Sequence, residues 1–385
     1  MFQLTASAAF GLEGMVAREL ERLGMERVKA RNGGVDFVGG PEKIVQANLH
    51  LRCADRVFIH MGAFDAVTFD QLFEGVKALP WADLLSQNAA FPVRARAARS
   101  QLMSLPDIQA ISKKAIVESL KARYHTEWFQ EDGPTYPIEV SVHTDHVTVQ
   151  VDTSGAGLNR RGYRTLNAEA PIRETLAAAL VILSPYRGRG CFVDPLCGSG
   201  TIAIEAAMLA LNMAPGLKRA FAAERWPQIR RVAWLNAREE AIDTIRRERL
   251  DITGSDIDPK VLELARFHAQ QAGLAQDIRF VQRDVKDILA RENCVIVCNP
   301  PYGERLGEQA QVEALYRQMG KAFGQMPDAW YGVITANKNF PRCFGHYTPV
   351  NRKFYNGRLE CHYYQYAPSK GRRGPVKPDN KKGQR

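Results

Sequence analysis

The stretch that decides the fold is Phe192-Val193-Asp194-Pro195-Leu196-Cys197-Gly198-Ser199-Gly200-Thr201. It joins an apolar strand to a helix. The two glycines allow the backbone to turn tightly and to approach a ligand, and the residues after each of them are small. The spacing fits neither a phosphate-cradling P-loop nor a three-glycine dinucleotide turn. An acid beside a helix N-terminus would repel a pyrophosphate, so Asp194 instead suits a ligand that carries a cationic amino group.

Two more acids follow the next strands along the chain. Asp256 ends the strand 251–256, and a carboxylate there suits the hydroxyls of a ribose. Asp284 follows the strand 278–282 and suits an adenine amine, whereas Asp258 is expected to cap the helix that starts at Pro259. Acids at the carboxyl edge of a parallel sheet outline an adenosine site. Together with Asp194 they predict S-adenosylmethionine as the cofactor.

The next strand ends in Asn299-Pro300-Pro301-Tyr302. The two prolines stiffen the loop and remove two N–H donors, which leaves the Asn299 side-chain oxygen and the Pro300 carbonyl as acceptors. These acceptors are suited to hold a planar amine with its lone pair directed at the sulfonium methyl group. Tyr302 offers a face on which an extruded base stacks. We therefore predict that residues 299–302 are catalytic.

Strands and helices alternate from about residue 186 to 367, which predicts a doubly wound parallel sheet ending in a hairpin at Asn356-Gly357. Residues 1–65 and 66–155 are typical of small α+β units, and residues 156–185 connect them to the sheet. The segment 213–250 lengthens one crossover and contains Trp226, Trp234 and several arginines. It either lines an RNA channel or packs as an amphipathic helix on the sheet.

The formal net charge of the 385-residue chain is +10, of which the tail 368–385 carries +6. Bulk charge alone is therefore weak support for a nucleic-acid partner. No run of about 18 apolar residues and no secretory signal is present, so a cytoplasmic protein without a membrane partner is expected. The seven cysteines include no C-x-x-C pair. We expect Cys294 and Cys298 to be free in a buried strand, and we expect no metal site.

The chain resembles the THUMP-containing class I methyltransferases that act on RNA, and most of all the bacterial enzymes that modify guanine N2 in 23S ribosomal RNA. Residues 194–200 resemble motif I, residues 299–307 an extended motif IV, and residues 170–177 the helix that precedes motif I. The resemblance implies a Rossmann-like α/β domain with a seven-stranded sheet over 186–367. It also implies a ferredoxin-like part over 1–65, a THUMP domain over 66–155 and a basic tail over 368–385.

The expected site residues follow from these motifs and the resemblance. The cofactor is expected to contact Arg173, Thr175, Asp194, Pro195, Cys197, Gly198, Ser199, Gly200, Thr201, Asp256, Ile257, Asp284, Val285 and Asn299. RNA, either free ribosomal RNA or an assembling large subunit, is expected to contact Arg94, Arg96, Arg160, Arg161 and Arg164. The oligomeric state is not readable from the sequence.

Three other functions fit parts of the pattern. The same loop methylates adenine N6 or cytosine N4 in DNA, or a glutamine amide in protein, and adenine N6 in RNA is also open. A non-catalytic RNA-binding protein would retain the fold without the activity. A nucleotide-dependent oxidoreductase would need a third glycine at the turn, which the sequence lacks.

Overall fold

We describe a computed structural model of the chain over residues 1–166, 172–289, 293–303, 308–346, 348 and 350–368. These residues form two seven-stranded sheets covered by helices. The first sheet and its helices comprise β1 (Phe2–Ala8), α1 (Glu13–Arg22), β2 (Glu26–Arg31), β3 (Gly34–Gly39), α2 (Pro41–His50), β4 (Ala54–Asp65), α3 (Phe69–Lys77), β5 (Val93–Ala98), α4 (Leu105–Tyr124), β6 (Ile138–His143) and β7 (His146–Asp152).

The second sheet and its helices follow. They comprise α5 (Glu174–Leu183), β8 (Cys191–Asp194), α6 (Thr201–Ala210), α7 (Arg231–Asp243), β9 (Asp251–Asp256), α8 (Pro259–Ala272), β10 (Ile278–Gln282), β11 (Val295–Cys298), α9 (Gln309–Gly324), β12 (Trp330–Thr335), α10 (Phe340–Phe344), β13 (Val350–Asn356) and β14 (Leu359–Tyr366).

The two small units expected before residue 155 share one sheet, in the order β2-β3-β1-β4-β7-β6-β5. The twelve-residue strand β4 joins them, because Ile59 lies opposite Leu4 of β1 on one side and opposite Val151 of β7 on the other. The alternation of apolar and polar residues in 138–142 and 146–152 predicts the hairpin of β6 and β7, whereas no pattern predicted the length of β4. The N-terminal half is thus built on one continuous sheet. The expected boundary between its two units stays a prediction.

The second sheet confirms the expected Rossmann-like architecture. Its order is β10-β9-β8-β11-β12-β14-β13, with parallel pairing from β10 to β12 and an antiparallel hairpin at the far edge. The strand order reverses between β8 and β11, and ligands of such folds bind outside the carboxyl ends of the strands at this switch point. Asp194 ends β8 and Asn299 directly follows β11. The topology therefore brings the two motifs to one crevice.

Two of the expected RNA contacts, Arg161 and Arg164, form ion pairs between elements, and their role in RNA binding stays a prediction. Arg161 is 3% exposed and pairs with Glu205 of α6 at 3.4 Å. Arg164 donates to the Thr201 hydroxyl at 2.6 Å and pairs with Glu174 of α5 at 3.2 Å. These arginines tie the connector after β7 to the helices that flank β8.

The other expected RNA contacts are exposed, and their role stays a prediction. Arg94 and Arg96 lie on β5 with exposed side chains, and Arg96 pairs with Glu139 of β6 at 3.0 Å. Arg160 is exposed on the connector. Residues 167–171, 304–307 and 369–385 lie outside the described residues, and with them the start of the expected helix motif, the end of motif IV and nearly all of the basic tail.

The inserted segment packs against the N-terminal half rather than on the second sheet. Trp226 is buried, stacks on Tyr136 with ring centroids 4.4 Å apart and donates its indole N–H to the Thr135 carbonyl at 2.9 Å. Trp234 is also buried and stacks on Phe221. Helix α7 contacts α2. Trp226 therefore packs between the two halves and Trp234 within the inserted segment, and as buried side chains neither is available to stack on bases.

The expectation of free thiols is wrong for Cys294, which forms a disulfide with Cys191. The physical reason is the register of the parallel strands β8 and β11, in which Phe192 lies opposite Val295. The residues one position earlier on each strand therefore face each other, with their Cα atoms 4.6 Å apart. Cys298, at the other end of β11, is a free and buried thiol as expected.

Candidate active site

The turn between β8 and α6 uses its two glycines differently. Gly198 has φ +50° and open space where a side chain would lie. Gly200 has φ +83°, and a Cβ atom there would come within 3.1 Å of Ala265 and of the Phe280 ring. Gly200 is therefore required for the left-handed backbone and for packing against α8 and β10. Gly198 leaves the ligand side of the turn open.

Asp194 is the buried acid of the site, with 1% of its surface exposed. Its carboxylate accepts from the Leu196 amide at 3.4 Å, and none of the described lysines or arginines pairs with it. Burial raises the pKa of Asp194 well above its ordinary value, and the negative charge of Asp256 adds to the rise. A buried carboxylate needs a cation or donors to offset its desolvation. The position therefore fits the ammonium group of a bound amino acid.

Asp256 and Asp284 continue this edge of the sheet. Asp256 accepts from the Gly198 amide at 3.0 Å through one oxygen and from the Asp258 amide at 3.1 Å through the other, so it links β9 to the glycine turn. Asp284 accepts from the Lys286 amide at 3.0 Å, which lowers the pKa of its carboxyl. Asp258 caps α8 through the Lys260 amide, as expected.

The loop after β11 presents Asn299 beside Tyr302. The Tyr302 hydroxyl donates to the Asn299 side-chain oxygen. This is the same oxygen that the sequence predicts to accept from a substrate amine. The amide oxygen has two lone pairs, so it can accept from a substrate amine beside the Tyr302 hydroxyl.

A buried network holds this loop from behind. The Tyr316 hydroxyl of α9 donates to the Pro301 carbonyl at 2.7 Å and lies 3.0 Å from the Thr335 hydroxyl. The Asn337 side-chain amide donates to the Tyr302 carbonyl at 3.1 Å, and the Asn337 backbone amide donates to Thr335. Burial raises the pKa of Tyr316 to about 12, so its hydroxyl remains a donor at neutral pH. Sequence analysis missed these residues because they lie 15 or more positions after Pro301.

One open cavity of about 1900 Å³ brings the motifs together. Most of the expected residues line it: Arg173, Asp194, Cys197, Gly198, Ser199, Thr201, Asp256, Ile257, Asp284, Val285, Asn299, Pro300, Pro301 and Tyr302. Three expected cofactor contacts do not line it, namely Thr175, Pro195 and Gly200. Thr175 and Pro195 are buried beneath the wall, and Gly200 packs against α8 and β10.

Several residues that sequence analysis did not assign also line the cavity. They include Leu196, Ile202, Lys260, Val261, Leu264, Arg283, Leu315, Gln318, Asn356, Gly357, Arg358 and Leu359. The last four form the turn of the β13–β14 hairpin. The sequence marked this turn by its Asn-Gly pair, but nothing local showed that it faces the loop after β11.

Within the described part of the chain, no cluster of three His, Cys, Asp or Glu side chains is arranged to hold a metal ion. The described helices also include none that is long and apolar enough to cross a membrane.

Residues 161–365 match the family described as the RMKL-like methyltransferase domain. Residues 3–58 match the RlmL ferredoxin-like domain, and residues 66–152 match the THUMP domain. The three matches follow one another along the chain in the order that the sequence resemblance implied. Together they extend over most of the described residues.

Two relatives align along nearly the whole chain. YpsC of Bacillus subtilis, provisionally named an RNA methyltransferase, is 44% identical over 99% of this chain and 98% of its own length. The ribosomal RNA large subunit methyltransferase K/L of Psychromonas ingrahamii is 32% identical over 94% of this chain but only 49% of its own length. The chain thus spans about half of that second relative.

Two solved structures share the fold, and one of their two descriptions names a substrate. SMU.472, described provisionally as a methyltransferase and solved with SAH, is 41% identical with a TM-score of 0.91 over 95% of this chain and 98% of its own. A Listeria monocytogenes protein described as a predicted N6-adenine-specific DNA methylase is 46% identical with a TM-score of 0.90 over 95% and 96%.

Proposed function

Because the chain belongs to the RMKL-like family of RNA methyltransferases that use S-adenosylmethionine, we propose that it methylates the exocyclic N2 of a guanine in RNA. We propose further that this RNA is large-subunit (23S) ribosomal RNA. The observation that carries the proposal is the cavity, which joins the acidic edge around Asp194 to the loop at Asn299. The choice of guanine N2 rests on the resemblance of the extended motif IV, and the choice of large-subunit ribosomal RNA is supported by the name of the K/L relative.

The cofactor wall fits S-adenosylmethionine, which supplies an electrophilic methyl group. Asp194, buried and without a cationic partner among the described residues, would bind the amino group of the methionine part. Asp256 would accept from the ribose hydroxyls, and Asp284 from the adenine amine. Ile257 is an apolar side chain 63% exposed at the cavity, and with Val285 it would cover the faces of the adenine.

The catalytic loop would orient the amine. The Asn299 side-chain oxygen and the Pro300 carbonyl accept its two N–H groups, so its lone pair points at the methyl group. Held in this orientation, the amine would take up the methyl group from the sulfonium and release one proton to solvent. Orientation and proximity provide the acceleration, so no strong general base is required. Tyr302 would stack on the extruded base.

The test is transfer of labelled methyl groups to 23S ribosomal RNA transcribed in vitro, followed by nucleoside analysis. We expect N2-methylguanosine from the native protein and a loss of at least about a hundredfold in rate for Asn299→Ala, since the variant cannot orient the amine. Cofactor binding, measured by calorimetry, should persist in the variant. Label in N6-methyladenosine would refute the guanine assignment and support the second candidate, adenine N6, which the Listeria description favours.

A further inference from the structure

The hairpin of β13 and β14 forms the wall of the cavity that neither motif I nor motif IV provides. Its turn, Asn356 to Leu359, lines the same cavity as Asn299 and Tyr302. Arg358 is exposed in this turn and forms no ion pair with any described residue. The other cation near the turn, Lys353, pairs with Glu360 at 2.6 Å across the hairpin. Arg358 therefore presents a positive charge on this wall that no acid among the described residues balances.

The opposite wall carries more acids than bases. Its acids are Asp194, Asp256, Asp258 and Asp284, and its cations are Arg173, Lys260 and Arg283, of which Arg173 lies 3.7 Å from Asp55. A nucleotide whose base reaches Asn299 also brings its own phosphates to the cavity. The acids repel these phosphates, whereas an exposed guanidinium binds phosphate through paired N–H donors. The cavity of about 1900 Å³ exceeds the roughly 300–1,000 Å³ of a site for one small ligand, so a nucleotide fits beside the cofactor.

The N-terminal half braces this hairpin. The Phe10 ring meets the Tyr355 ring edge-on with centroids 5.9 Å apart. Gly11 lies so close that a Cβ atom there would come within 2.8 Å of the Lys353 carbonyl. On the other side, the Asn356 side-chain oxygen accepts from the Arg173 amide at 3.3 Å. The turn is therefore held between the ferredoxin-like unit and the start of α5.

We propose that the β13–β14 hairpin is an RNA-binding element of the active site, in which Arg358 contacts a phosphate next to the target nucleotide and Phe10 positions the hairpin. The proposal rests on RNA as the substrate and is independent of which base is methylated. It assigns the ferredoxin-like unit a part in holding the substrate, in addition to any role of the THUMP domain.

The first test compares Arg358→Ala with Arg352→Ala, which removes an exposed arginine of the same hairpin that does not line the cavity. We expect Arg358→Ala to raise KM for RNA roughly tenfold and to reduce the salt dependence of RNA binding by about one phosphate contact. Affinity for S-adenosylmethionine should not change. If Arg352→Ala has the same KM and salt dependence as Arg358→Ala, the proposed contact is wrong.

The second test concerns the contact between Phe10 and the β13–β14 hairpin. Phe10 is 56% exposed, so Phe10→Ala should leave the melting temperature nearly unchanged. We expect it to raise KM for RNA about threefold without changing cofactor affinity, because the hairpin loses its edge-on contact. An unchanged KM would refute the positioning role of Phe10. Native protein that methylates no RNA at all would instead count against the proposed function, and the two failures are therefore distinguishable.

Discussion

The two walls of the cavity differ in charge, burial and origin. The cofactor wall consists of acids at the ends of β8, β9 and β10, and its central carboxylate at Asp194 is buried. The hairpin wall lies at the antiparallel edge of the sheet and presents an exposed arginine. The first wall has a buried acid at its centre and suits a small cation, whereas the second is exposed and suits a polyanion. Substitutions on one wall should therefore leave the ligand of the other unaffected.

The largest expected effect is on the cofactor wall. Asp194→Asn removes the charge that would bind the ammonium group, so we expect the affinity for S-adenosylmethionine to fall at least about a hundredfold. RNA affinity, measured without cofactor, should stay within about twofold, since the two walls act separately. The matched control is Asp258→Asn, which keeps an exposed helix cap that also lines the cavity. A loss of RNA affinity in Asp194→Asn would show that the two walls do not bind their ligands independently.

The cofactor wall was also the part that the sequence predicted best. Asp194, the glycine turn and the loop at Asn299 are contiguous motifs, and parallel topology brings strand ends to one edge. The hairpin wall depends on contacts between distant positions, which no local pattern shows. For the same reason Arg161 was expected on the surface: its partner Glu205 lies 44 positions further along the chain. The pairing of Cys191 with Cys294 likewise follows from strand register alone.

The catalytic loop lies where the two walls meet. Comparing Tyr316→Phe with Tyr366→Phe tests how the loop is held in position. Tyr316→Phe removes the donor to the Pro301 carbonyl, so the loop loses one of its fixed points. We expect kcat to fall about tenfold, since an acceptor that is out of position orients the substrate amine poorly. The affinities for cofactor and RNA should both stay unchanged, which distinguishes a positioning role from a general loss of structure.

Tyr366→Phe is the control for that substitution. Its hydroxyl is buried at the end of β14 and has no hydrogen-bond partner among the described residues. Removing it should leave kcat unchanged. Asn337→Ala should reproduce the effect of Tyr316→Phe, because Asn337 holds the neighbouring carbonyl of Tyr302. Equal kcat values for Tyr316→Phe and Tyr366→Phe would show that the network does not position the loop.

The smallest expected effect is a proton linkage confined to the cofactor wall. Burial raises the pKa of Asp194 in the free protein, and a bound ammonium group would lower it. Cofactor binding should therefore release protons at pH values between the bound and the free pKa. Affinity should rise with pH through this window and become constant above the raised pKa. Calorimetry in buffers of different ionisation enthalpy measures this release, and Asp194→Asn should abolish it.

The same shift sets the stability of the free protein. A carboxyl whose pKa is higher in the folded than in the unfolded state favours folding at low pH, and this contribution is lost as pH rises through the folded pKa. Without cofactor, Asp194→Asn should therefore have a higher melting temperature than the native protein at pH 8. The difference should shrink towards acid pH. A native protein that is as stable as the variant at every pH would mean that donors already compensate the Asp194 carboxylate, and a cationic ligand would then not be needed to explain its burial.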